Sequence, residues 1–269
     1  MNIERQEPRP EPRPSLCIGI LTLNEAKNIT RCLNSALFAD QILVVDSGST
    51  DNTCELAKSL GAEVVVYADW QGFGEQRNRL LKHCRSNYIF FLDADEEITP
   101  ELREEIMQTV KDDQDVVYEI LWEQVAYGRP LKHMDSTGGL ERFFKTSSIE
   151  RYDGVVHEGA IMKGGKRPVR QFKGKVIHYS RETIHGSILK LAQYSHLGAV
   201  KRAEKKRRGG IWRGFASGLA IFIRLYIFRR GFMSGGPGFL FCFFIALECF
   251  FRYVALKYDK DSMNTLVKR

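Results

Sequence analysis

Six cysteines are scattered over 269 residues without one CxxC pair: Cys17, Cys32, Cys54, Cys84, Cys242 and Cys249. That spacing fits neither a disulfide framework nor a cysteine zinc site, so buried, reduced thiols in a cytosolic compartment are expected. No internal repeat is present. No signal peptide is legible. Met1 to Pro14 is polar, with Pro8, Pro10, Pro12 and Pro14 alternating with charges, and reads as an extended, mobile leader. A dinucleotide fingerprint is also missing. Gly72-Phe73-Gly74 follows Trp70 in a loop and not the first strand, so an NAD site is not expected.

Acid is nearly absent from one stretch. Between Lys201 and Arg230 ten basic residues stand against a single acid, Glu204, in a chain whose net charge is +7. The basic character is therefore local, and the remainder is slightly acidic. Two apolar stretches follow the basic cluster, Ile211 to Phe228 and Phe239 to Leu256, but neither is free of charge. The first carries Arg213 and Arg224, the second Glu248 and Arg252. A span needs ~20 largely uncharged residues, and a mid-helix charge costs ~2.5–3.5 kcal/mol on insertion scales. Helices lying at a membrane interface suit these segments better. Lys201 to Arg208 would then meet anionic headgroups, although a helix pair packed on the rest of the chain fits the same pattern. No groove-reading motif accompanies the charge, so nucleic acid is not the expected partner.

The first half alternates strand and helix. Leu16 to Leu21, Gln41 to Asp46, Glu63 to Tyr67 and Tyr88 to Leu92 are apolar runs of strand length. Helices are expected over Glu25–Leu37, Asn52–Leu60, Glu75–Cys84 and from Thr99-Pro100 onward, where Pro takes the first helical position. Four such units in series imply an α/β fold with a parallel sheet. After Val116 the pattern changes to strand-like runs (Val116–Trp122, Arg142–Lys145, Lys175–Tyr179) separated by Gly-rich loops. A helix is expected from Thr183 to the basic cluster.

Ligands of parallel sheets bind at the carboxyl ends of the strands. Here those ends carry Thr22 and Asn24, Asp46, and Asp93 with Asp95, which would meet in one crevice. Plain helix capping would explain Asp46 or Asp95 singly but not the whole set. Two carboxylates at a strand end can hold a divalent cation that bridges a nucleotide diphosphate, whose departure needs its charge neutralised.

Thr22-Leu23-Asn24-Glu25, Val44-Val45-Asp46-Ser47-Gly48-Ser49-Thr50-Asp51, Arg77-Asn78 and Phe91-Leu92-Asp93-Ala94-Asp95 occur in this order and spacing. Over about Ser15 to Val110 the chain resembles family 2 glycosyltransferases of the GT-A fold. The resemblance implies a crevice for a UDP-sugar donor formed by Thr22, Asn24, Glu25, Asp46, Ser47, Arg77, Asn78 and Asp93. It implies Mg or Mn at Asp95, with Asp93 beside the metal, ribose or diphosphate. Many members have two adjacent acids where this chain has Asp46-Ser47, so Asp46 carries the base and ribose contact alone.

An inverting transfer needs a carboxylate to take the acceptor's proton. Tyr152-Asp153-Gly154-Val155-Val156-His157-Glu158 resembles a segment of lipopolysaccharide-core glucosyltransferases. Glu158 is the first choice for the base, with Asp135 and Asp153 as alternatives. His157 reads as a further metal or diphosphate contact, or as a structural histidine; His178 reads as structural. Tyr226 to Gly238 also resembles the tail of those enzymes.

The organisation expected is a leader (1–14), a GT-A catalytic domain (15–182, divided into a nucleotide half at 15–115 and an acceptor half at 116–182) and a basic, apolar helical tail (183–269). The activity implied is inverting transfer of a hexose, glucose first, from a UDP-sugar to a lipid-linked saccharide acceptor in lipopolysaccharide or other envelope glycan synthesis. It would take place on the cytoplasmic face of the inner membrane, with the protein peripheral to an anionic surface. Transfer to polyprenyl phosphate, and a non-catalytic nucleotide-sugar-binding scaffold, are the alternatives.

Overall fold

A computed structural model describes residues 13–134, 138–154 and 159–259. In chain order the elements are β1 (Leu16–Thr22), α1 (Ile29–Ala36), β2 (Gln41–Asp46), α2 (Thr53–Ser59), β3 (Glu63–Val66), α3 (Phe73–His83), β4 (Tyr88–Asp93), β5 (Glu96–Ile98) and α4 (Pro100–Lys111). They are followed by β6 (Val117–Ala126), β7 (Arg129–Pro130), β8 (Leu140–Lys145), β9 (Ile149–Asp153), β10 (Gly159–Met162), β11 (Val169–Arg181), α5 (Ile184–Glu204), α6 (Ile211–Phe222) and α7 (Gly235–Tyr258). One sheet runs β3-β2-β1-β4-β8-β6-β11-β5, with β7 on β6, and a separate ribbon pairs β9 with β10.

The first four strands are parallel to one another, as their unbroken apolar runs predict. Alternate residues of β1 and β4 face opposite sides. Leu16, Ile18, Ile20, Phe90 and Leu92 pack under α1 and α4 with Ile29, Leu33, Leu102 and Ile106. Cys17, Leu21, Ile89 and Phe91 pack with Leu80 of α3 and with Phe144 and Tyr152. All six cysteines are free thiols.

Three features depart from the expectations drawn from sequence. The helix expected from Glu25 starts only at Ile29. Asn24 takes a left-handed backbone (φ 55°), and the Glu25 and Ala26 N–H groups donate to Thr53 and Asp51 instead of entering a helix. Strands β5, β9 and β10 were not expected. They are three to five residues long, too short for a periodicity signal, and tertiary pairing creates them. Finally, Arg13 lies within the expected leader yet ion-pairs with Asp40 at 2.6 Å.

The β11–α4 contact is close because Gly174 has no side chain. A Cβ there would lie 2.5 Å from the Leu102 backbone, whereas one at Gly159 would meet nothing within 4 Å. Gly174→Ala is expected to lower stability by about 1–3 kcal/mol through overpacking, read as a shift in the urea midpoint. Gly159→Ala should leave that midpoint nearly unchanged.

Candidate functional site

Pairing of β1 with β2 and β4 puts Thr22 opposite Asp46 and Leu21 opposite Asp93, so three polar strand ends meet at one edge. Asp46 is fully buried. Its carboxylate accepts from the Thr22 hydroxyl (2.8 Å) and from the Gly48 and Ser49 N–H groups (2.9 and 2.7 Å). Burial raises its pKa, but the bonds from Ser49, Thr22 and Gly48 outweigh this and hold the carboxyl below its ordinary value. The side chain thus shapes the turn that follows β2. Gly48, at φ 93°, permits that turn. On its rim, Asn24 Oδ1 accepts from the Thr50 N–H at 2.8 Å, and the Asn24 N–H donates to Ser49 at 2.7 Å. The Ser47 hydroxyl accepts from Gln76 at 2.7 Å, and Gln76 in turn accepts from Arg79 at 3.0 Å.

At the end of β4 the two aspartates have separate partners. Asp93 is gripped by Arg142 of β8, with Nη1–Oδ1 at 3.1 Å and Nη2–Oδ2 at 2.6 Å. Arg142 is only 4% exposed, while Asp93 is 42% exposed. Arg142 also lies 3.7 Å from buried Glu96, whose other oxygen accepts from the Asp93 N–H at 3.0 Å. Burial pushes the Glu96 carboxyl up to about 7 against the pull of Arg142, with the Asp93 charge adding to the rise. Burial likewise works against ionisation of Asp93, but Arg142 wins and Asp93 stays well below the usual carboxylate range. Arg77, over the rings of Phe91 and Tyr152, adds to that pull.

Asp95 faces a different strand. Antiparallel pairing of β11 with β5 sets His178 opposite Glu96, and the Tyr179 N–H donates to the Asp95 carbonyl at 2.9 Å. His178 Nε2 then lies 3.4 Å from Asp95 Oδ2, and Lys190 Nζ of α5 lies 3.6 Å from the same oxygen. Burial lowers the His178 pKa, but Asp95 raises it more, and the net shift is upward. His178 Nδ1 is buried without a hydrogen-bond partner among the described residues.

Among the described residues no three His, Cys, Asp or Glu side chains form a metal cluster. The Asp95 carboxylate and His178 Nε2, 3.4 Å apart, could both reach one divalent cation, the carboxylate as its hard oxygen ligand and the imidazole as a borderline donor that Mn accepts. A cation that takes its other ligands from phosphate and water needs no more from the protein. The Asp93 oxygens are already committed to Arg142. Asn78, expected at the nucleotide, spends both ends of its amide on the Tyr152 backbone (2.7 and 3.1 Å) and so fastens β9 to α3. Glu25 accepts from Asn28 at 3.0 Å. Asp153 is exposed at the end of β9, and its Oδ1 accepts from the Gly154 N–H at 2.9 Å. Asp135, His157 and Glu158 lie outside the described residues.

Sequence reasoning missed Arg142 and Lys190 and took His178 as structural. An arginine leading into the apolar pair Phe143-Phe144 of a strand was the available signal, because a buried guanidinium requires a carboxylate partner. His178 and Lys190 had no such signal, since their positions depend on the β5–β11 register and on the path of α5.

The family model "Glycosyl transferase family 2" matches residues 17–171. A lipopolysaccharide core biosynthesis glycosyltransferase of Rhizobium meliloti, LpsC, is 28% identical over 91% of this chain and 95% of its own length. An uncharacterized glycosyltransferase of Rickettsia prowazekii is also 28% identical, over 88% of this chain and 85% of its own. Among solved structures, Staphylococcus aureus TarS 1-349 in complex with UDP-GlcNAc aligns with a TM-score of 0.45 at 18% identity, covering 64% of this chain and 60% of that one.

Arg142→Ala would leave buried Glu96 and the Asp93 carboxylate without their cation. The expected loss is about 3–5 kcal/mol of folding stability, measured by urea denaturation. An unchanged midpoint would mean that the pair does not hold the sheet together.

Proposed function

The chain belongs to glycosyl transferase family 2 and is a glycosyltransferase of GT-A fold, and we propose that it moves a hexose, glucose first, from a UDP-sugar to a lipid-linked saccharide with inversion. The observation that carries this reading is the meeting of Asp95 and His178 beside the Thr22–Asp46 turn, an arrangement suited to a nucleotide diphosphate. The similarity to LpsC along nearly the whole length supports a lipopolysaccharide or related envelope acceptor.

When bound, Mg or Mn would neutralise the departing diphosphate. Asp95 and His178 are the residues assigned to hold it. Asp93, charge-balanced by Arg142, forms the wall toward the ribose. Asp46 acts through the turn it shapes, so that the base meets the Ser47–Asp51 segment and not the Asp46 carboxylate itself. Arg77 places a cation behind Asp93, and Lys190 offers a second beside Asp95. On the resemblance of its segment, Glu158 takes the acceptor proton as the sugar bond breaks.

The same helix that carries Lys190 exposes Ile184, Ile188 and Leu189 within its two preceding turns, an apolar approach suited to a lipid-borne acceptor. We assign the protein to the cytoplasmic face of the inner membrane, peripherally bound through the basic, apolar tail.

UDP release from UDP-sugars, with and without Mn, tests this reading. Asp95→Ala is expected to abolish the metal-stimulated rate, and His178→Ala to weaken metal affinity by at least about 10-fold. Metal-stimulated turnover that survives Asp95→Ala would remove the metal assignment. Glu158→Gln should cut transfer to a hydroxyl acceptor by about 100-fold or more; full activity would instead identify an acceptor already ionised, such as polyprenyl phosphate.

A further inference from the structure

Two helical stretches, Ile211–Phe228 and Gly231–Tyr258, are long and apolar enough to cross a membrane by length and composition, with mean hydropathy 1.4 and 2.0. Their packing says how they meet it. They form one hairpin, held where Gly214 and Gly218 let α6 approach α7. A Cβ at either glycine would come within 2.7–2.8 Å of the Phe250 or Ala246 carbonyl oxygen. Small residues at such a crossing are the packing mode of helices in lipid.

α7 alone is about 36 Å long at 1.5 Å per residue, enough to cross a hydrocarbon core of about 30 Å. Yet the catalytic domain flanks the hairpin from its turn to the middle of α7, and α5 covers it beyond. At the turn, the Ser234 hydroxyl donates to the Lys132 carbonyl at 3.4 Å, and Leu225, Phe241 and Cys242 pack with Ala126, Leu131 and Met134. Midway, Glu248 forms a buried ion pair with Arg181 of β11. Near the far end Arg202 of α5 stacks over Tyr253 at 5.1 Å. A hairpin inserted across the bilayer would drag the polar loop at Lys132 and the ends of β6 and β11 into hydrocarbon, where backbone groups without partners are not tolerated.

The opposite side is open and apolar. Trp212 (84% exposed), Phe215 and Leu219 share one face of α6, and Phe228 (78%) follows it. Phe239 and Phe243 are stacked on the exposed face of α7. Phe222 and Tyr226 join the two helices through ring contacts with Phe239 at 5.9 and 5.8 Å. From Lys201 to Tyr258 the exposed charges are basic except Glu204, since Glu248 is buried against Arg181. Apolar aromatics bordered by cations match an anionic lipid surface.

We infer that the α6–α7 hairpin lies in the plane of the membrane, with the Trp212–Phe215–Leu219 and Phe239–Phe243 faces sunk into the headgroup boundary of an anionic leaflet and neither helix crossing it. This inference rests on the membrane-bound reading above and specifies its geometry.

The test uses the full-length protein with phosphatidylethanolamine vesicles, with and without phosphatidylglycerol, and lipids brominated at shallow or deep acyl positions. Wild type should bind the anionic vesicles. The double variant Trp212→Ser/Phe228→Ser should bind at least about tenfold more weakly, as burial of either side chain accounts for that much. Alanines at Lys205, Lys206, Arg207 and Arg208 should lower the preference for phosphatidylglycerol. Trp212, and a tryptophan at position 219 (Leu219→Trp in Trp212→Phe), should both be quenched more by shallow than by deep bromines. Deep quenching at position 219 would mean a crossing helix and would overturn the inference. So would equal binding to neutral vesicles, or a lipid-free dimer that Phe215→Asp makes monomeric without loss of vesicle binding. Metal-stimulated UDP release by the same samples separates the two readings. Vesicle binding without turnover would sink the enzyme assignment alone, and turnover without binding would sink the hairpin inference alone.

Discussion

The guanidinium of Arg142 is the charge on which the rest of the site depends. It sits between the end of β4 and the start of β5, and both neighbours are acids. Without it, Glu96 would be a buried carboxylate with no counter-ion and Asp93 would repel it at close range, a cost of several kcal/mol. With it, Asp93 stays ionised at the exposed carboxyl end of β4 while Glu96 stays in the interior. The turn after β4 is therefore held from beneath, and Asp95 is free to face β11. Two aspartates separated by one residue thus divide the work. One is held by the Arg142 fork within the sheet, and the other faces His178 of β11 and Lys190 of α5.

Much of this was legible in the sequence for a simple reason. Buried parallel strands are continuous apolar runs, and their ends show as the first polar residues. The pattern alone therefore puts Thr22, Asp46 and Asp93 at one sheet edge. The roles of single side chains were less legible. Asp46 reads the same whether its carboxylate faces a ligand or its own turn, and only Thr22, Gly48 and Ser49 decide that it faces the turn. Asn78 likewise reads as a polar helix residue until Tyr152 claims its amide. His178 is separated from Asp95 by more than eighty residues. Its place depends on a three-residue strand, β5, that no local pattern announces.

β11 links the two halves of the molecule. His178, near its end, faces Asp95, and three residues later Arg181 enters the helical hairpin to pair with Glu248. Alternation along a strand would put these two residues on opposite faces, and the irregular pairing between His178 and Arg181 is where the strand departs from that pattern. One strand end thus contributes a side chain to the crevice and another to the seat of the tail.

The Arg181–Glu248 pair also determines how firmly that seat holds. Both side chains are almost wholly buried, and separating them would leave two uncompensated charges in an apolar setting, which costs more than a surface ion pair could recover. The pair therefore fastens the hairpin to β11. A surface that captures the aromatic face of the hairpin also holds β11, and with it His178, at a set height and tilt. On the proposed function, an acceptor anchored in that surface would meet the strand ends in a limited range of poses. Such restriction substitutes orientation for affinity, because the translational freedom lost on docking is already spent when the protein and its acceptor share a membrane.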